Sequence, residues 1–211
     1  KNWISIVTID NPPDNFLDKE VLSGLNKTIS EMISSQSDLR VVLLTAKGKN
    51  FSTGIDYARF MKMTKDEAGH VAEVGYNLLK HIENLPIPVI AAVKGETTGA
   101  GLGLALAADI RIAASDAVFS FPEAQFAVPP IFGSSQPLYK TVGIGRAKEL
   151  LFTGRTVDAE EALRIGLVNK VVPLDALDEE ANRLAVKIGG NSLSSLRSIK
   201  MLVNFGLNEG Y

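Results

Sequence analysis

Apolar residues follow two alternating patterns along the chain. Short continuous apolar runs, typical of strands that are buried on both faces, occur in "RVVLLTAKG" (40–48) and "PIPVIAAVKG" (86–95). Helical spacing predicts helices over Leu17–Ile33 and Thr64–Glu83. Their expected buried stripes comprise Leu22, Leu25, Ile29 and Ile33 in the first helix and Val71, Val74, Leu78 and Ile82 in the second. Shorter β-rich runs predict further strands in "WISIVTID" (3–10), "DIRIAAS" (109–115), "AVFSF" (117–121) and "LVNKVVP" (167–173).

From Gly133 onward the pattern is mainly helical. Three predicted helices end at a glycine, namely Gly143, Gly154 and Gly166, and glycine suits the left-handed conformation of the residue that closes many helices. The predicted helices are "SSQPLYKTVG" (134–143), "GRAKELLFTG" (145–154), "DAEEALRIG" (158–166), "LDALDEEANRLAVKIGG" (174–190) and "NSLSSLRSIKMLVNFGL" (191–207). Strands that alternate with helices, followed by a helical C-terminal third, predict an α/β fold. We expect one domain over residues 1–211, with a core over about 1–140 and a mainly helical region beyond it.

The charge balance and the rare residue types exclude several classes of function. The 22 basic and 24 acidic residues give a net charge of −2, whereas a nucleic-acid surface normally shows a basic excess. The chain has no cysteine, which excludes disulfides, thiolate catalysis and cysteine-based metal sites. Its two histidines, His70 and His81, are expected on a polar or partly buried helix face, without a metal or a catalytic role. No apolar run is long enough to span a bilayer, so we predict no membrane association.

Two glycine-containing turns each follow a buried strand, "FSTGID" (51–56) and "TTGAGLG" (97–103). A strand end followed by such a turn and a helix start leaves backbone N–H groups unpaired, and the helix dipole adds a positive potential. Two such donors that converge on one point would form an oxyanion hole. The glycines are equally compatible with tight helix–strand packing alone. A nucleotide loop fits less well, because the spacing is Gly-x-Gly-x-Gly and no Gly-Lys-Ser/Thr follows.

Glu123 is the candidate acid or base that follows the second turn. Taken alone, its Pro-Glu pair is typical of an ordinary turn carboxylate. Its apolar neighbours Phe121, Phe126 and Val128 predict a buried carboxyl. Burial would raise the pKa of Glu123 and make it a more effective general base.

Four collinear stretches carry a family resemblance that covers nearly the whole chain. They are "NPPDNFLD" (11–18), "LLTAKGKNFSTGIDYARF" (43–60), "PIPVIAAVKGETTGAGLGLALAADIRIAASDAVFSFPEAQFAVPP" (86–130) and "KELLFTGRTVDAEEALRIGLVNKVVP" (148–173). Together they resemble the crotonase superfamily, the enoyl-CoA hydratase/isomerase family. The resemblance implies a crotonase-like spiral of ββα units followed by a helical trimerisation region. It also implies an acyl-CoA substrate, no cofactor besides the coenzyme A of that substrate, and a homotrimer or dimer of trimers.

The same resemblance assigns roles to individual residues. It implies Glu123 as the catalytic group and the N–H groups of Ile55 and Ala100 as the donors that hold a thioester enolate. Residues expected to contact the acyl-CoA are Ser52, Gly54, Asp56, Tyr57, Gly99 and Gly101. Residues expected in the acyl pocket are Phe60, Gly103, Ile131 and Phe132. Asp56 is also expected to brace the first turn, and Ser134 and Ser135 to cap a helix rather than to position a water.

Gly103 departs from the pattern of family hydratases, which carry two glutamates that hold the added water. Glu123 matches the second glutamate, and Gly103 stands at the position of the first. One carboxylate suffices to move a proton from C2 to C4 of a 3-enoyl thioester, so the sequence favours a Δ3-Δ2 enoyl-CoA isomerase. The alternatives are a single-glutamate hydratase, an acyl-CoA hydrolase or decarboxylase, and a catalytically silent acyl-CoA-binding protein. Ile131 lies where the dehalogenase and dienoyl-isomerase branches carry an additional aspartate, which argues against both.

The two ends of the chain carry expectations of their own. The chain begins at Lys1 without a signal-peptide pattern, and we expect a cytoplasmic protein, with organelle targeting left open because the N-terminus looks trimmed. The sequence ends at Tyr211, before the final helices usual in the family. Because those helices help to cover the acyl-CoA site, the residues that hold the CoA phosphates are not identified.

Overall fold

The computed structural model describes residues 3–34 and 38–209 and contains, in that part of the chain, eight strands arranged in two sheets. The strands are β1 Ile4–Ile9, β2 Val41–Ala46, β3 Val89–Val93, β4 Glu96–Thr98, β5 Ile110–Ala114, β6 Val118–Ser120, β7 Val157–Asp158 and β8 Lys170–Val172. The strands predicted from apolar runs are therefore confirmed. The sequence did not reveal β4 and β7, which have only three and two residues and carry no pattern of their own.

The helices follow the predicted order. They are α1 Lys19–Ser34, α2 Tyr57–Phe60, α3 Lys65–Glu83, α4 Ala100–Leu106, α5 Ser135–Val142, α6 Ile144–Thr153, α7 Ala159–Arg164, α8 Leu177–Gly189 and α9 Leu193–Glu209, with 3₁₀ turns at Pro122–Phe126 and Leu174–Ala176. Gly143, Gly154 and Gly166, the predicted closing glycines, all have positive φ. The mainly helical C-terminal third is confirmed. None of the helices in the described ranges is both long and apolar enough to cross a membrane.

The two sheets give the chain its spiral course. The larger sheet is wholly parallel, in the order β1-β2-β3-β5-β8. The smaller sheet has the order β4-β6-β7, with β4 parallel to β6 and β6 antiparallel to β7. After β3 and again after β5, the chain passes within a few residues into the smaller sheet. An isolated parallel bridge between Ser52 and Thr97 extends this ladder toward the segment that follows β2.

The central strands are buried on both faces because successive side chains point to opposite sides of a sheet. On one face, Val42 and Leu44 join the main core, which also contains the buried sides of α1, α3 and α4. On the other face, Val41 and Leu43 pack in a second cluster with the small, buried residues of α8. The carboxyl ends of β2 and β3 are thereby fixed, and both glycine turns start from them.

The predicted stripes of α1 and α3 are confirmed with one exception. In α1 the stripe is buried except for Ile33, whose side chain is 44% exposed because the last turn of the helix extends past the covered part of its face. In α3, Leu78 and Ile82 are buried and Val71 and Val74 are half-buried against the same core. Thr64 forms a capping box with Glu67, which explains why α3 begins at the following residue.

Leu78 tests how strongly α3 contributes to the fold, because its side chain is fully buried in the main core. We expect Leu78→Ala to lower the free energy of unfolding by about 2–5 kcal/mol, through lost apolar burial and the cavity that remains. Leu163→Ala is the matched control, since Leu163 is also a helical leucine but is 45% exposed. This substitution should lower the free energy of unfolding by only about 0.5 kcal/mol. Urea denaturation measures both, and equal losses would contradict this account of the core.

Candidate active site

The first glycine turn, residues 51–56, is held by the loop that precedes α1. The Leu17 N–H donates to the Gly54 carbonyl over 2.7 Å, and the Thr53 N–H donates to the Asp14 carbonyl over 2.9 Å. The buried Ser52 hydroxyl donates to the Asn15 carbonyl (2.7 Å) and accepts from the Gly54 N–H (3.2 Å). These bonds engage the neighbouring polar groups of the turn. The N–H group of the next residue, Ile55, has no partner among the described residues.

Asn15 organises this loop, although the sequence analysis assigns it no role. It is fully buried with φ 51, in the left-handed region that asparagine tolerates better than most residues. Its side-chain amide donates to the carbonyls of Lys47 and Asn50 over 2.8 Å each, and its Oδ1 accepts from the Asn11 N–H. Asn50 in turn accepts from the Glu96 N–H, so the loop is tied to the strand before the second turn.

The second glycine turn places the start of α4 beside the first turn. Gly99 has φ 52 and ψ −125, a backbone conformation suited to glycine, and its N–H donates to the Ser120 carbonyl over 2.9 Å. The chain reverses there, and Ala100 becomes the first residue of α4. Its N–H therefore belongs to the group of helix-terminal donors that have no partner within the helix.

The two turns approach each other closely enough to require glycine on both sides. A methyl group built at Gly54 would lie 2.8 Å from the Thr98 carbonyl oxygen and 3.0 Å from the Ala100 nitrogen. A methyl group at Gly101 would collide with the Ser52 carbonyl. The sequence left two interpretations of these glycines open, tight packing and the exposure of N–H donors. The structure makes them compatible, because both belong to the same close approach of the two turns. Within the described part of the chain, the N–H groups of Ile55 and Ala100 are engaged by no other group.

Glu123 lies in the 3₁₀ turn that follows β6, directly after the proline that starts the turn. Its side chain is 1% exposed, and neither carboxylate oxygen has a hydrogen-bond partner among the described residues. Burial raises the pKa of Glu123 above its usual range, as expected. A buried carboxylate without partners is costly to the fold, which makes it a candidate reactive group.

Tyr57 lies against Glu123 from the other side of the site. Its ring stacks on that of Phe126 with 4.5 Å between the centroids and 8° between the planes. Residues three apart in a 3₁₀ turn lie on the same side, so Phe126 and Glu123 both approach this tyrosine. Of the apolar neighbours expected to bury the Glu123 carboxyl, Phe121 and Val128 are buried themselves, whereas Phe126 is 45% exposed and its ring covers Tyr57.

Ser134 occupies the space beside Gly103. A methyl group at Gly103 would lie 2.6 Å from Ser134 Cβ and 3.5 Å from Leu79 Cδ1. Ser134 is fully buried and stands at the N-terminus of α5, but its hydroxyl donates to the Ile131 carbonyl over 2.8 Å and caps no N–H group. The predicted side-chain cap is therefore wrong, because the tight loop before α5 offers this hydroxyl a nearer acceptor.

The remaining predicted residues do not surround a single cavity. Phe60 lines a small cavity of about 110 Å³ together with Ile55, Met63 and Val71. Phe132 borders a separate hollow of about 370 Å³ between α3 and α5, and Ile131 is buried. Asp56 braces the first turn as predicted, because its carboxylate accepts from the Arg59 N–H and caps α2. In the described ranges, no three histidine, aspartate or glutamate side chains come together as a metal site.

Comparison with known proteins identifies the class. Residues 1–209 match the enoyl-CoA hydratase/isomerase family. The chain is 38% identical over 205 residues to the short-chain-enoyl-CoA hydratase of Clostridium acetobutylicum, covering 97% of this chain and 78% of that protein. It is 35% identical to the crotonyl-CoA hydratase of Syntrophomonas wolfei, covering 97% and 79%. The crystal structure of an enoyl-CoA hydratase from Bacillus anthracis superposes with a TM-score of 0.90 at 35% identity, covering 96% and 80%.

This chain therefore belongs to the enoyl-CoA hydratase/isomerase family, the crotonase superfamily, and it is an enzyme of that kind. The fold predicted from the resemblance, an α/β spiral with a helical C-terminal region, is confirmed.

Gly99 allows a direct test of the site's geometry. A methyl group there would lie 2.6 Å from Tyr57 Oη and 2.9 Å from Glu123 Oε1, and the positive φ adds backbone strain. We expect Gly99→Ala to lower the free energy of unfolding by more than about 1 kcal/mol. Gly69→Ala is the control, because Gly69 lies in α3 with open space around it, and alanine should there be neutral or stabilising. Urea denaturation measures the free energy of unfolding of both variants. An unchanged value for Gly99→Ala would contradict the described turn.

The buried carboxyl of Glu123 should make stability depend on pH in a defined direction. Because its pKa is raised above 4.5 in the fold, the folded protein holds this proton more tightly than the unfolded chain. Its contribution to stability is complete below about pH 4.5 and is lost as the pH rises through the raised pKa. We expect Glu123→Gln to be more stable than the unchanged protein at pH 8, with a difference that shrinks toward pH 5. Chemical denaturation at both pH values measures it, and a difference that grows on acidification would refute the assignment.

Proposed function

We propose that this enzyme converts 3-enoyl-CoA thioesters into 2-enoyl-CoA thioesters, with Glu123 as its single acid and base. The observation that carries the proposal is the buried Glu123 carboxylate, both oxygens of which are free to accept a proton. In the first step the carboxylate removes a proton from C2, and the electrons of that bond delocalise onto the thioester oxygen. In the second step the same carboxyl delivers the proton to C4, and the double bond comes to lie between C2 and C3.

The two glycine turns support this chemistry by offering a site for the negative charge. The unengaged N–H groups of Ile55 and Ala100 stand where the turns approach each other. We assign them as the pair that stabilises the enolate oxygen. Such a donor is typically worth about 3–4 kcal/mol of transition-state stabilisation. Because the α4 N-terminus contributes one of them, the helix dipole adds to the same effect.

The environment of Gly103 supports a mechanism with one carboxylate. The space beside it is filled by Ser134, so a side chain at this position would require Ser134 to move. The raised pKa of Glu123 fits a group that must both take up and return a proton. Ser52, Gly54, Gly99 and Gly101 take part in this assignment as the residues that shape the turns, and Phe60 as a wall of the cavity beside Ile55.

Hydration of 2-enoyl-CoA thioesters is the second candidate, because the similar proteins from Clostridium acetobutylicum and Syntrophomonas wolfei are described as hydratases. The same enolate site would serve that reaction. Hydrolysis, decarboxylation and silent acyl-CoA binding use no feature that distinguishes this chain. The acyl-CoA substrate, the absence of a separate cofactor, the trimeric assembly and the cytoplasmic location stay predictions.

Glu123→Gln tests the proposal, since glutamine keeps the shape of the side chain and loses its basicity. We expect the conversion of a trans-3-enoyl-CoA to the conjugated thioester to fall about 10²- to 10⁴-fold, with thioester binding nearly unchanged. Ultraviolet absorbance of the conjugated product measures the rate, and calorimetry measures binding.

Glu96→Gln is the matched control, because Glu96 is exposed on the strand before the second turn. It should retain the activity of the unchanged protein. An active Glu123→Gln variant would remove Glu123 from its role. An unchanged protein that binds the thioester without conjugating it would refute the isomerase.

A further inference from the structure

Phe132 stands in the loop before α5 with a backbone conformation that phenylalanine disfavours. Its φ of 61 lies in the left-handed region, which bulky residues rarely adopt, and its side chain is 2% exposed. Such a conformation persists where the surrounding structure holds the residue in place, and it is concentrated at ligand sites and switch regions. The proposed isomerisation gives Phe132 no role, so its strained backbone and buried ring need a reason of their own.

Two reciprocal contacts between an aromatic ring and a glycine fix this loop on α3. The Phe132 ring lies directly on Gly75 of α3, where an added methyl group would overlap the ring. The next residue of α3, Tyr76, lies on Gly133 in turn, with its Cδ2 atom 2.9 Å from where a methyl group of that glycine would stand. The missing side chain of Gly75 is therefore the seat of the Phe132 ring.

The helix α4 leads from Glu123 to the hollow that Phe132 borders. The Gly103 N–H donates to the Gly99 carbonyl over 2.9 Å, and the Ala107 N–H donates to the Gly103 carbonyl over 3.0 Å. These three residues therefore follow one another along one side of α4, at intervals of one helical turn, about 5.4 Å. Glu123 lies against the first of them, and the third lines the hollow of about 370 Å³.

A thin wall of side chains separates Gly103, the middle of these three residues, from the hollow. Ser134 Cβ and Leu79 Cδ1 lie 2.6 Å and 3.5 Å from where a methyl group of Gly103 would stand. Leu79 also lines the hollow, as Phe132 does, so this leucine borders both sides of the wall. The rest of the wall comes from one loop, because Ser134 and Phe132 are only two residues apart.

The proposed reaction gives this side of α4 a purpose. The thioester oxygen is assigned to the N–H groups at the start of the helix, and C2 and C4 are assigned to Glu123. Carbons beyond C4 point away from the thioester end of the substrate. Along α4 they extend from Gly99 toward Gly103, where they meet the wall of Ser134, Leu79 and Phe132.

We propose that Phe132 determines the length of the acyl chain that this enzyme accepts. Its ring, seated on Gly75, closes the far end of the acyl site and restricts the substrate to short chains. The hollow behind the ring is space that a smaller residue would open to longer chains. The inference rests on the proposed function in one respect, namely that a thioester binds with its reacting carbons at Glu123, and it adds the chain length of that substrate.

Binding of saturated acyl-CoA thioesters tests the role of Phe132 without depending on the reaction. Calorimetry compares butanoyl-CoA with decanoyl-CoA. We expect the unchanged protein to bind decanoyl-CoA no more tightly than butanoyl-CoA. In Phe132→Ala, decanoyl-CoA should gain at least about 10-fold in affinity relative to butanoyl-CoA, since the burial of each methylene group is worth a factor of about four.

Turnover gives a second readout of the same preference. The value of kcat/KM for trans-3-decenoyl-CoA is divided by that for trans-3-hexenoyl-CoA, with the conjugated product followed by ultraviolet absorbance. We expect this ratio to rise at least about 10-fold in Phe132→Ala, because an apolar pocket discriminates by about that factor for each methylene group that it accepts or excludes.

Two variants separate a specific role from a loosened core. Leu25→Ala is the matched control, because Leu25 is a buried core residue of α1. It should lower the melting temperature and leave the chain-length preference unchanged. Phe132→Leu covers the case in which the alanine variant does not fold, since leucine keeps most of the apolar burial. It should shift the preference in the same direction by a smaller factor.

A double variant tests the seat of the ring. Gly75→Ala should lower the melting temperature, because its methyl group collides with the Phe132 ring. In the Phe132→Ala background the same methyl group has no ring to meet, so it should cost much less there. Additive losses would overturn the seat on which the proposal depends.

The remaining outcomes distinguish this inference from the proposed function. An unchanged preference in both Phe132 variants, an equal shift in Leu25→Ala, or tighter binding of decanoyl-CoA by the unchanged protein would overturn the role of Phe132 and leave the isomerase intact. The expected binding pattern without isomerisation would refute the proposed function and support Phe132. A protein that binds neither thioester would overturn both.

Discussion

The close approach of two backbone turns, residues 52–55 and 98–101, is the constraint on which the site depends. A side-chain methyl at Gly101 would meet the Ser52 carbonyl, and one at Gly54 would meet the Ala100 nitrogen. Because Gly54 and Gly101 carry no side chain, the backbone at the start of α4 packs directly against the backbone of the first turn. The parallel strands β2 and β3 hold the two turns in register, because each turn is anchored within a few residues of a strand end.

The Glu123 carboxylate, the candidate base, shows how the fold maintains a group that destabilises it. Glu123 has no hydrogen-bond partner within the described part of the chain, and its burial raises its pKa and disfavours its ionised form. The cost is offset by the apolar core around it and by the 3₁₀ turn that fixes its backbone. A carboxylate so placed is a stronger base than one in water, and the same carboxyl can return its proton. The desolvation of Glu123 thus has two consequences: it lowers the stability of the fold and raises the basicity of the carboxylate.

The surroundings of Gly103 and of Gly99 differ, because different side chains lie against each glycine. On the side of Gly103, Ser134 and Leu79 fill the volume in which a second acid would begin. On the side of Gly99, a methyl group would collide with Tyr57 Oη and Glu123 Oε1. The chain thus lacks one polar group of a two-carboxylate hydratase and offers a phenol at another place. Isomerisation needs the carboxylate alone.

The buried strands, the helices of the C-terminal third, the two turns and the candidate base were all predictable from sequence, because each depends on residues close together along the chain. Apolar runs encode β2 and β3, and glycine spacing encodes the turns. Only the tertiary structure decided which distant residues meet. The contacts of Asn15 with Asn50, of Ser134 with Gly103, and of Tyr57 with the Glu123 turn join segments about 30 or more residues apart. No local pattern records them, since such contacts arise from the packing of whole elements.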